Sequence, residues 1–308
     1  MTSMLLTGAG GFLGRALLPR MQELYGRVDT LGRRPESDIR VDLSHEVPAL
    51  QRHYDTVLHC AGAAHFIPAD DAEGEIFHQV NDGGTRRLCQ ALDAVGAPER
   101  FIFISSVAVY GCDEGSDIDE QHPLEGSTPY AISKINAERF LTEWCAARGV
   151  TLTILRCPLI VAHDAPGNLG SMQRAIAKGR YVYVGSGSNH KSIVTPADVC
   201  KLIELASHVG GIYNAADSSN PTLHELEDAI ASELGCRIHA KMPMPLLRTA
   251  AFIGDLLGKH SPLTTRRLRK LSSTLTYSNS KACRELCWEP SDSLSNYGKK
   301  NELGHIGK

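Results

Sequence analysis

Residues Ser3 to Thr7 form a short apolar run that ends in Gly8-Ala9-Gly10-Gly11, and an amphipathic stretch begins at once with Phe12. Leu13, Ala16, Leu17, Met21 and Leu24 share one helical face of that stretch, and Gly26 is placed to stop it. A strand, a glycine turn and a helix packed into so few residues leave few folds open. Gly8, Gly11 and Gly14 recur at a spacing of three across the junction. Glycines there permit a tight turn, let the backbone approach a pyrophosphate and let helix and sheet pack closely. The helix N-terminus adds free N–H groups and the positive end of a dipole for phosphate oxygens. A phosphate loop of the Gly-Lys-Ser/Thr kind fails, because Arg15 follows Gly14. Dinucleotide binding is the expectation.

The strand–helix alternation continues along the chain. Arg27 to Leu31 reads as a second strand, Ile39 to Leu43 as a short third and Asp55 to Cys60 as a fourth. A long helix over about 75–96 carries Ile76, Val80, Leu88, Leu92 and Val95 at helical spacing, with Gly96 as its C-cap. Phe101 to Ser105 is an apolar strand, Thr128 to Arg148 a helix closed by Gly149, and Thr151 to Arg156 another strand. Strands apolar on both faces, separated by amphipathic helices, predict an α/β fold with a doubly wound parallel (Rossmann) sheet. Such a sheet binds ligands beyond the carboxyl ends of its strands, near the point where strand order reverses.

After residue 156 prolines and glycines break the pattern into a loop-rich stretch. Thr195-Pro196-Ala197-Asp198 and Thr222-Leu223-His224-Glu225 announce two later helices by their capping residues. We expect residues 1–160 to form the dinucleotide-binding domain, with 190–220 returning to it. Residues 161–189 and 221–308 are expected to form a smaller, interleaved substrate-binding region.

Three side chains suggest chemistry. Tyr130 and Lys134 stand four residues apart on one helical face. A free tyrosine titrates near pH 10, and a neighbouring ammonium favours the phenolate, bringing it closer to use as an acid or base. Ser106 follows the Phe101–Ser105 strand, where its hydroxyl could share a substrate oxygen with Tyr130. The second strand ends Leu31-Gly32-Arg33-Arg34, with no carboxylate where one would hold a ribose 2′-hydroxyl. Two guanidiniums there suit a 2′-phosphate and favour NADP, with NAD as the alternative. The plain reading of Arg33 and Arg34 is a solvated turn.

The chain resembles the extended short-chain dehydrogenases/reductases, in the NAD-dependent epimerase/dehydratase group that acts on nucleotide sugars. The resemblance spans about residues 3 to 290. It rests on Thr7-Gly8-Ala9-Gly10-Gly11-Phe12-Leu13-Gly14, Val41-Asp42-Leu43, His59-Cys60-Ala61-Gly62, Ser105-Ser106-Val107-Ala108-Val109-Tyr110-Gly111 and Tyr130-Ala131-Ile132-Ser133-Lys134. Tyr213-Asn214 and Trp288-Glu289-Pro290 also match. The resemblance implies that Tyr130 is the acid/base and that Lys134 assists it and holds the nicotinamide ribose. It implies further that Ser106 binds the reacting oxygen and Asp42 the adenine. Gly8, Gly11, Phe12, Leu13, Gly14, Leu43, Cys60, Ala61, Gly62 and Asn81 would line the cofactor site. A homodimer through the helices 75–96 and 128–148 is implied as well. Where the family has proline and then valine-tyrosine-glycine after the 151–156 strand, this chain has Cys157 and then Ile160, Val161 and Ala162.

Dehydratases of this group carry an acid pair after the hydroxyl residue, whereas Val107 and Ala108 follow Ser106 here. Net reduction of a 4-keto nucleotide sugar (UDP-sugar type) and reversible 4-epimerisation remain. Lys191-Ser192-Ile193-Val194 resembles 4-ketoreductases and epimerases of bacterial surface-polysaccharide pathways. The Arg33-Arg34 pair tilts the expectation to the reductase. A non-catalytic dinucleotide sensor is the third reading, and such proteins lose the tyrosine or lysine that this chain keeps.

Other functions find little support. The formal net charge of −3 gives no overall electrostatic footprint for nucleic acid or an anionic membrane. Arg266-Arg267-Leu268-Arg269-Lys270 is a short basic run that reads as a solvated helix face. No signal peptide and no apolar run long enough to span a bilayer is evident. Nine scattered cysteines fit reduced thiols, so a cytoplasmic protein is expected. A metal site is not expected. His224-Glu225 lacks the second histidine of a zincin motif, Cys283 and Cys287 lack a second pair, and His59 and His65 are read as flanking the cofactor site.

Overall fold

The computed structural model describes residues 2–64, 66, 68, 70–256, 264–294 and 297. His65 lies outside the described residues, as do the end of the expected 221–308 region and the side chains of Arg266 and Arg267.

Strand β1 (Ser3–Thr7), helix α1 (Phe12–Leu24) and strands β2 (Arg27–Gly32), β3 (Ile39–Arg40) and β4 (Thr56–His59) open the chain. One helical stretch follows, built of α2 (Asp71–Phe77), a π-helical turn (His78–Gly83) and α3 (Gly84–Val95). Then come β5 (Arg100–Ser106), a 3-10 turn (Val107–Tyr110), β6 (Gly115–Ile118), α4 (Pro129–Ala146), β7 (Thr151–Cys157) and β8 (Leu159–Ile160). Helix α5 (Gly167–Ala177) leads to β9 (Tyr183–Val184), β10 (Ile193–Val194), α6 (Pro196–Ala206) and β11 (Gly211–Asn214). The last elements are α7 (Leu223–Glu233), β12 (Lys241–Met242), α8 (Met244–Leu256), α9 (Thr265–Ser272), β13 (Leu275–Tyr277) and α10 (Ser280–Leu286).

Seven strands form one sheet in the order β11-β7-β5-β4-β1-β2-β3, and every pairing is parallel. Because side chains alternate along a strand, β1 feeds two cores at once. Met4 and Leu6 point to the layer containing Leu17, Met21 and Leu202, while Leu5 points to the layer containing Leu88, Leu92 and Leu141. All three β1 residues are fully buried, as a central parallel strand requires. The order reverses between β1 and β4, so the loops after these two strands border one crevice.

The remaining strands pair in twos outside this sheet, β10 with β8, β12 with β9 and β13 with β6. The loop-rich reading of 161–189 missed α5. Its buried Leu169, Gly170 and Ile176 do recur at helical spacing, but Gly167 and Gly170 mask the pattern. The third strand stops at Arg40, and the next residues turn away to place Asp42. Thr222 and Glu225 cap α7 reciprocally. At α6 the Thr195 hydroxyl accepts from the Asp198 amide (3.1 Å), while the Asp198 carboxylate holds Ser291 instead of closing a box.

The long helix departs from the expected face. The π turn carries one extra residue, which rotates the helix about its axis. Phe77 and Asn81 become buried, and Ile76 is 40% exposed.

Candidate active site

A cleft of about 270 Å³ opens over the carboxyl ends of β1, β2 and β4. Its walls are the glycine loop (Gly8, Gly10, Gly11), the turn after β2 (Gly32, Arg33, Arg34), Asp42 with Leu43, and Cys60 to Gly62. Gly8 has φ of +73°, and a Cβ there would stand 2.6 Å from the Ala61 amide nitrogen. The loop after β1 can thus touch the loop after β4 only with glycine at this position. A Cβ on Gly14 would collide with the Gly8 carbonyl, so Gly14 sets how closely α1 approaches the loop. No side chain caps the N-terminus of α1. Its N–H groups and dipole are left for an anion.

Two of the expected cofactor residues turn their side chains into apolar cores and leave only backbone for such a contact. The Leu13 side chain is buried in the sheet core, and Phe12 packs against the cluster of Val161, Leu169 and Leu226. Arg33 and Arg34 both line the cleft. The Arg34 chain lies across Gly10, and the Arg33 guanidinium stands 3.8 Å from the Asp42 carboxylate. Partial burial raises the Asp42 carboxyl, but the Ser44 hydroxyl (2.6 Å) and amide (3.0 Å) outweigh it and hold the group below its ordinary pKa. Ser44 and Ser37, which also lines the cleft, escaped the sequence reading. A serine two residues after an aspartate was the signal available for Ser44.

At the far end, β5 delivers Ser106 and α4 delivers Tyr130 and Lys134. Thr128 caps α4 by accepting from the Ala131 amide (3.2 Å), and Pro129 occupies the first turn. The cap places Tyr130 at the very start of the helix, beside Ser106. Burial pushes the Tyr130 phenol up to about 12, against the lowering effect of its hydrogen bond with Ser106. The ammonium of Lys134 was expected to lower Tyr130 directly. Instead its Nζ donates to the Ile104 carbonyl (2.9 Å) and lies 4.6 Å from the Phe103 ring centre. Burial lowers Lys134 itself to about 8. Lys134 is 5% exposed and lies near Asn81 and near Gly62 of the cleft wall.

Asn81 sits in the π turn. Its Oδ1 accepts from the Ala63 amide (2.7 Å), and its Nδ2 donates to the Ala63 carbonyl (3.1 Å) and the Ser133 hydroxyl (2.9 Å). With donors and acceptor engaged, the side chain ties the loop after β4 to α4 instead of reaching into the cleft. His59 is also structural: it is 1% exposed and absent from the cleft wall. Thr85 donates to the Asn81 carbonyl (2.5 Å), so it accepts from His59 Nε2 (2.9 Å), which leaves Nδ1 to accept from Thr7 (2.6 Å). Burial lowers His59 to about 3, and it stays neutral.

Beneath Ser106 runs a buried polar network that the sequence reading did not find. Ser105 donates to Glu138 (2.5 Å), Arg156 pairs with Glu138 (2.7 Å), and Arg156 donates to Tyr110 (3.1 Å), which donates to Asn214 (2.7 Å). It joins β5, α4, β7 and β11 under the reacting end. Cys157 is buried close enough to raise Tyr130 slightly. A smaller cavity of about 110 Å³, between Arg180–Val182 and Arg237–Ala240, contains none of these residues. Among the described residues no group of three or more His, Cys, Asp or Glu could hold a metal.

Known proteins resemble this chain in sequence and fold. The family model described as "NAD dependent epimerase/dehydratase family" matches residues 4–216. The N-acetyl-alpha-D-glucosaminyl-diphospho-ditrans,octacis-undecaprenol 4-epimerase of Escherichia coli O157:H7 is 29% identical over 91% of this chain and 88% of its own. The GDP-6-deoxy-D-mannose reductase of Pseudomonas aeruginosa is 28% identical over 73% of this chain and 78% of its own. The solved UDP-glucose 4-epimerase of Thermus thermophilus, in complex with NAD, shares the fold with a TM-score of 0.72 at 21% identity, covering 94% of each chain. This chain belongs to the NAD-dependent epimerase/dehydratase family, extended short-chain dehydrogenases/reductases that work on nucleotide sugars with a nicotinamide dinucleotide.

Proposed function

We propose that this chain is an NADPH-dependent reductase of a 4-keto nucleotide sugar. The observation that carries the choice is the pair Arg33 and Arg34 on the cleft wall, with no carboxylate at the end of β2. A guanidinium pair rewards a 2′-phosphate, where a carboxylate would repel it. Arg33 is 77% exposed in its side chain, so this end of the cleft opens to solvent and suits a cofactor that exchanges at each turnover.

The cradle fits a dinucleotide: the uncapped α1 N-terminus takes the pyrophosphate, and Asp42 with Leu43 takes the adenine. A bound nicotinamide supplies hydride to a carbonyl carbon. Ser106 holds the carbonyl oxygen by hydrogen bond, and Tyr130 gives that oxygen its proton. A phenol raised to about 12 is fully protonated at neutral pH, the state a proton donor in the reductive direction needs. Lys134 holds the ribose beside Gly62 and carries positive charge toward the phenolate that proton donation creates. Val107 and Ala108 offer no acid after Ser106, so elimination of water lacks its catalyst. We assign the sugar to the face between this site and the described residues of 161–189 and 221–308. A homodimer through α2–α3 and α4, in the cytoplasm, completes the proposal.

The second reading is a 4-epimerase, favoured by the named activity of the Escherichia coli relative. The two are separated by offering the purified protein 4-keto-6-deoxy nucleotide sugars and ordinary nucleotide sugars, with NADPH or NADH. Loss of one NADPH per sugar reduced supports the reductase. Interconversion of sugars without net cofactor loss overturns it.

A further inference from the structure

Helix α8 is apolar on both of its sides. Leu247 and Ala251 are buried in a small core with Leu268 of α9, against Val184 and Met242 of the β9–β12 pair, and Gly254 is buried on the same side. A surface helix places polar residues opposite such a stripe. Opposite this one lie Pro245, Leu246, Thr249, Phe252, Ile253 and Leu256. Leu246 is 61% exposed, Phe252 63%, Ile253 50% and Leu256 75%. No other helix among the described residues exposes two large apolar side chains.

Exposed cations lie on this helix and on the helix packed against it. Arg248 on α8 and Arg269 and Lys270 on α9 are exposed, and α9 carries no acidic residue. Asp255, the acid of α8, accepts from the Thr265 amide (3.0 Å) and is thereby turned to α9. The net charge of −3 averages this local patch away. Two contacts anchor the pair near the reacting end. Arg269 stands 3.9 Å from Asp113, in the loop that follows β5 and its 3-10 turn, and Lys191 donates to the carbonyls of Lys270 (2.8 Å) and Ser273 (2.6 Å).

We propose that the outward face of α8 docks on an anionic lipid bilayer. The helix lies in the interface with Leu246, Phe252, Ile253 and Leu256 among the acyl chains and the three cations on lipid phosphates. No described helix is long and apolar enough to cross a membrane, and the 13 residues of α8 suit lying flat. A second copy of the chain would cover the apolar face but leave three like charges facing their own kind. An anionic surface satisfies both features at once.

The test is sedimentation of the full-length protein with vesicles of phosphatidylglycerol and phosphatidylethanolamine, and with phosphatidylcholine vesicles. Binding to the anionic vesicles is expected, weakening with salt. Phe252→Ser with Leu256→Ser should lower it by about tenfold or more, and Arg269→Gln with Lys270→Gln should lower it and weaken its salt dependence. Both variants should bind dinucleotide as the parent does, because none of the four residues lines the cleft. Absence of vesicle binding overturns the proposal, as does binding unchanged in the Phe252/Leu256 variant. Self-association in light scattering that the same variant abolishes, without vesicle binding, assigns the face to a second copy.

Discussion

Tyr130 and Lys134 bear opposite burdens of burial. The phenol is held protonated, near 12, whereas the buried ammonium is lowered to about 8 and carries a standing cost in the folded state. Tyr130→Phe should lower kcat by about 10²–10⁴-fold with dinucleotide affinity kept, measured by turnover and by cofactor titration. Lys134→Met should lose activity yet gain stability. Burying the ammonium costs about 3 kcal/mol by its shift, and loss of the Ile104 hydrogen bond returns about 1 kcal/mol, leaving a net gain of about 2 kcal/mol near pH 7. Between the lowered folded value of about 8 and the ordinary 10.5, the unfolded chain holds a proton that the folded chain has released. Parent stability therefore rises across that window, and its gap to Lys134→Met should narrow in denaturant melts from pH 8 upward. Arg33→Ala with Arg34→Ala should weaken NADPH by about 10–100-fold and NADH little, read by fluorescence titration.

The glycine loop and the π turn show how differently two elements can be read from sequence. Gly8, Gly11 and Gly14 were legible because of their spacing at a strand–helix junction, and Gly8 and Gly14 answer backbone requirements that only glycine meets. Gly8→Ala should destabilise the fold by about 2–4 kcal/mol and abolish dinucleotide binding, since both φ and the Ala61 backbone oppose a side chain. Gly10→Ala meets only the flexible end of Arg34 and should change the melting midpoint little. The π turn was not legible. Ile76 and Val80 fit a regular helix as well as Phe77 and Asn81 do, and only packing against α4 selects the second pair. The role of Asn81 was hidden for the same reason, because its partners, Ala63 and Ser133, belong to other segments. Helix α5 and strand β11 escaped because glycines and shortness weaken their periods.

At the scale of the molecule, the sheet order brings together residues far apart in the chain, and the Glu138–Arg156 pair is the clearest product. Both side chains are less than 5% exposed, and neither sequence neighbourhood names the other. Arg156→Met leaves a buried carboxylate without its partner and should cost about 3–5 kcal/mol, seen as a lowered denaturation midpoint. Adding Glu138→Leu should restore most of it, because the orphaned charge is then gone. The parallel sheet and the helix that carries Tyr130 and Lys134 were legible, since each rests on local pattern or spacing. The network beneath them, and the apolar outer face of α8, depend on tertiary placement.

The central claim is that hydride leaves the cofactor for good. The most direct measurement gives the enzyme NADPH deuterated at the transferred position together with a 4-keto nucleotide sugar. The account predicts one deuterium at the new carbinol carbon and one NADP released for each sugar reduced. A 4-keto sugar left unreduced with its NADPH intact, while an ordinary nucleotide sugar is inverted at that carbon with no deuterium gained, would contradict it.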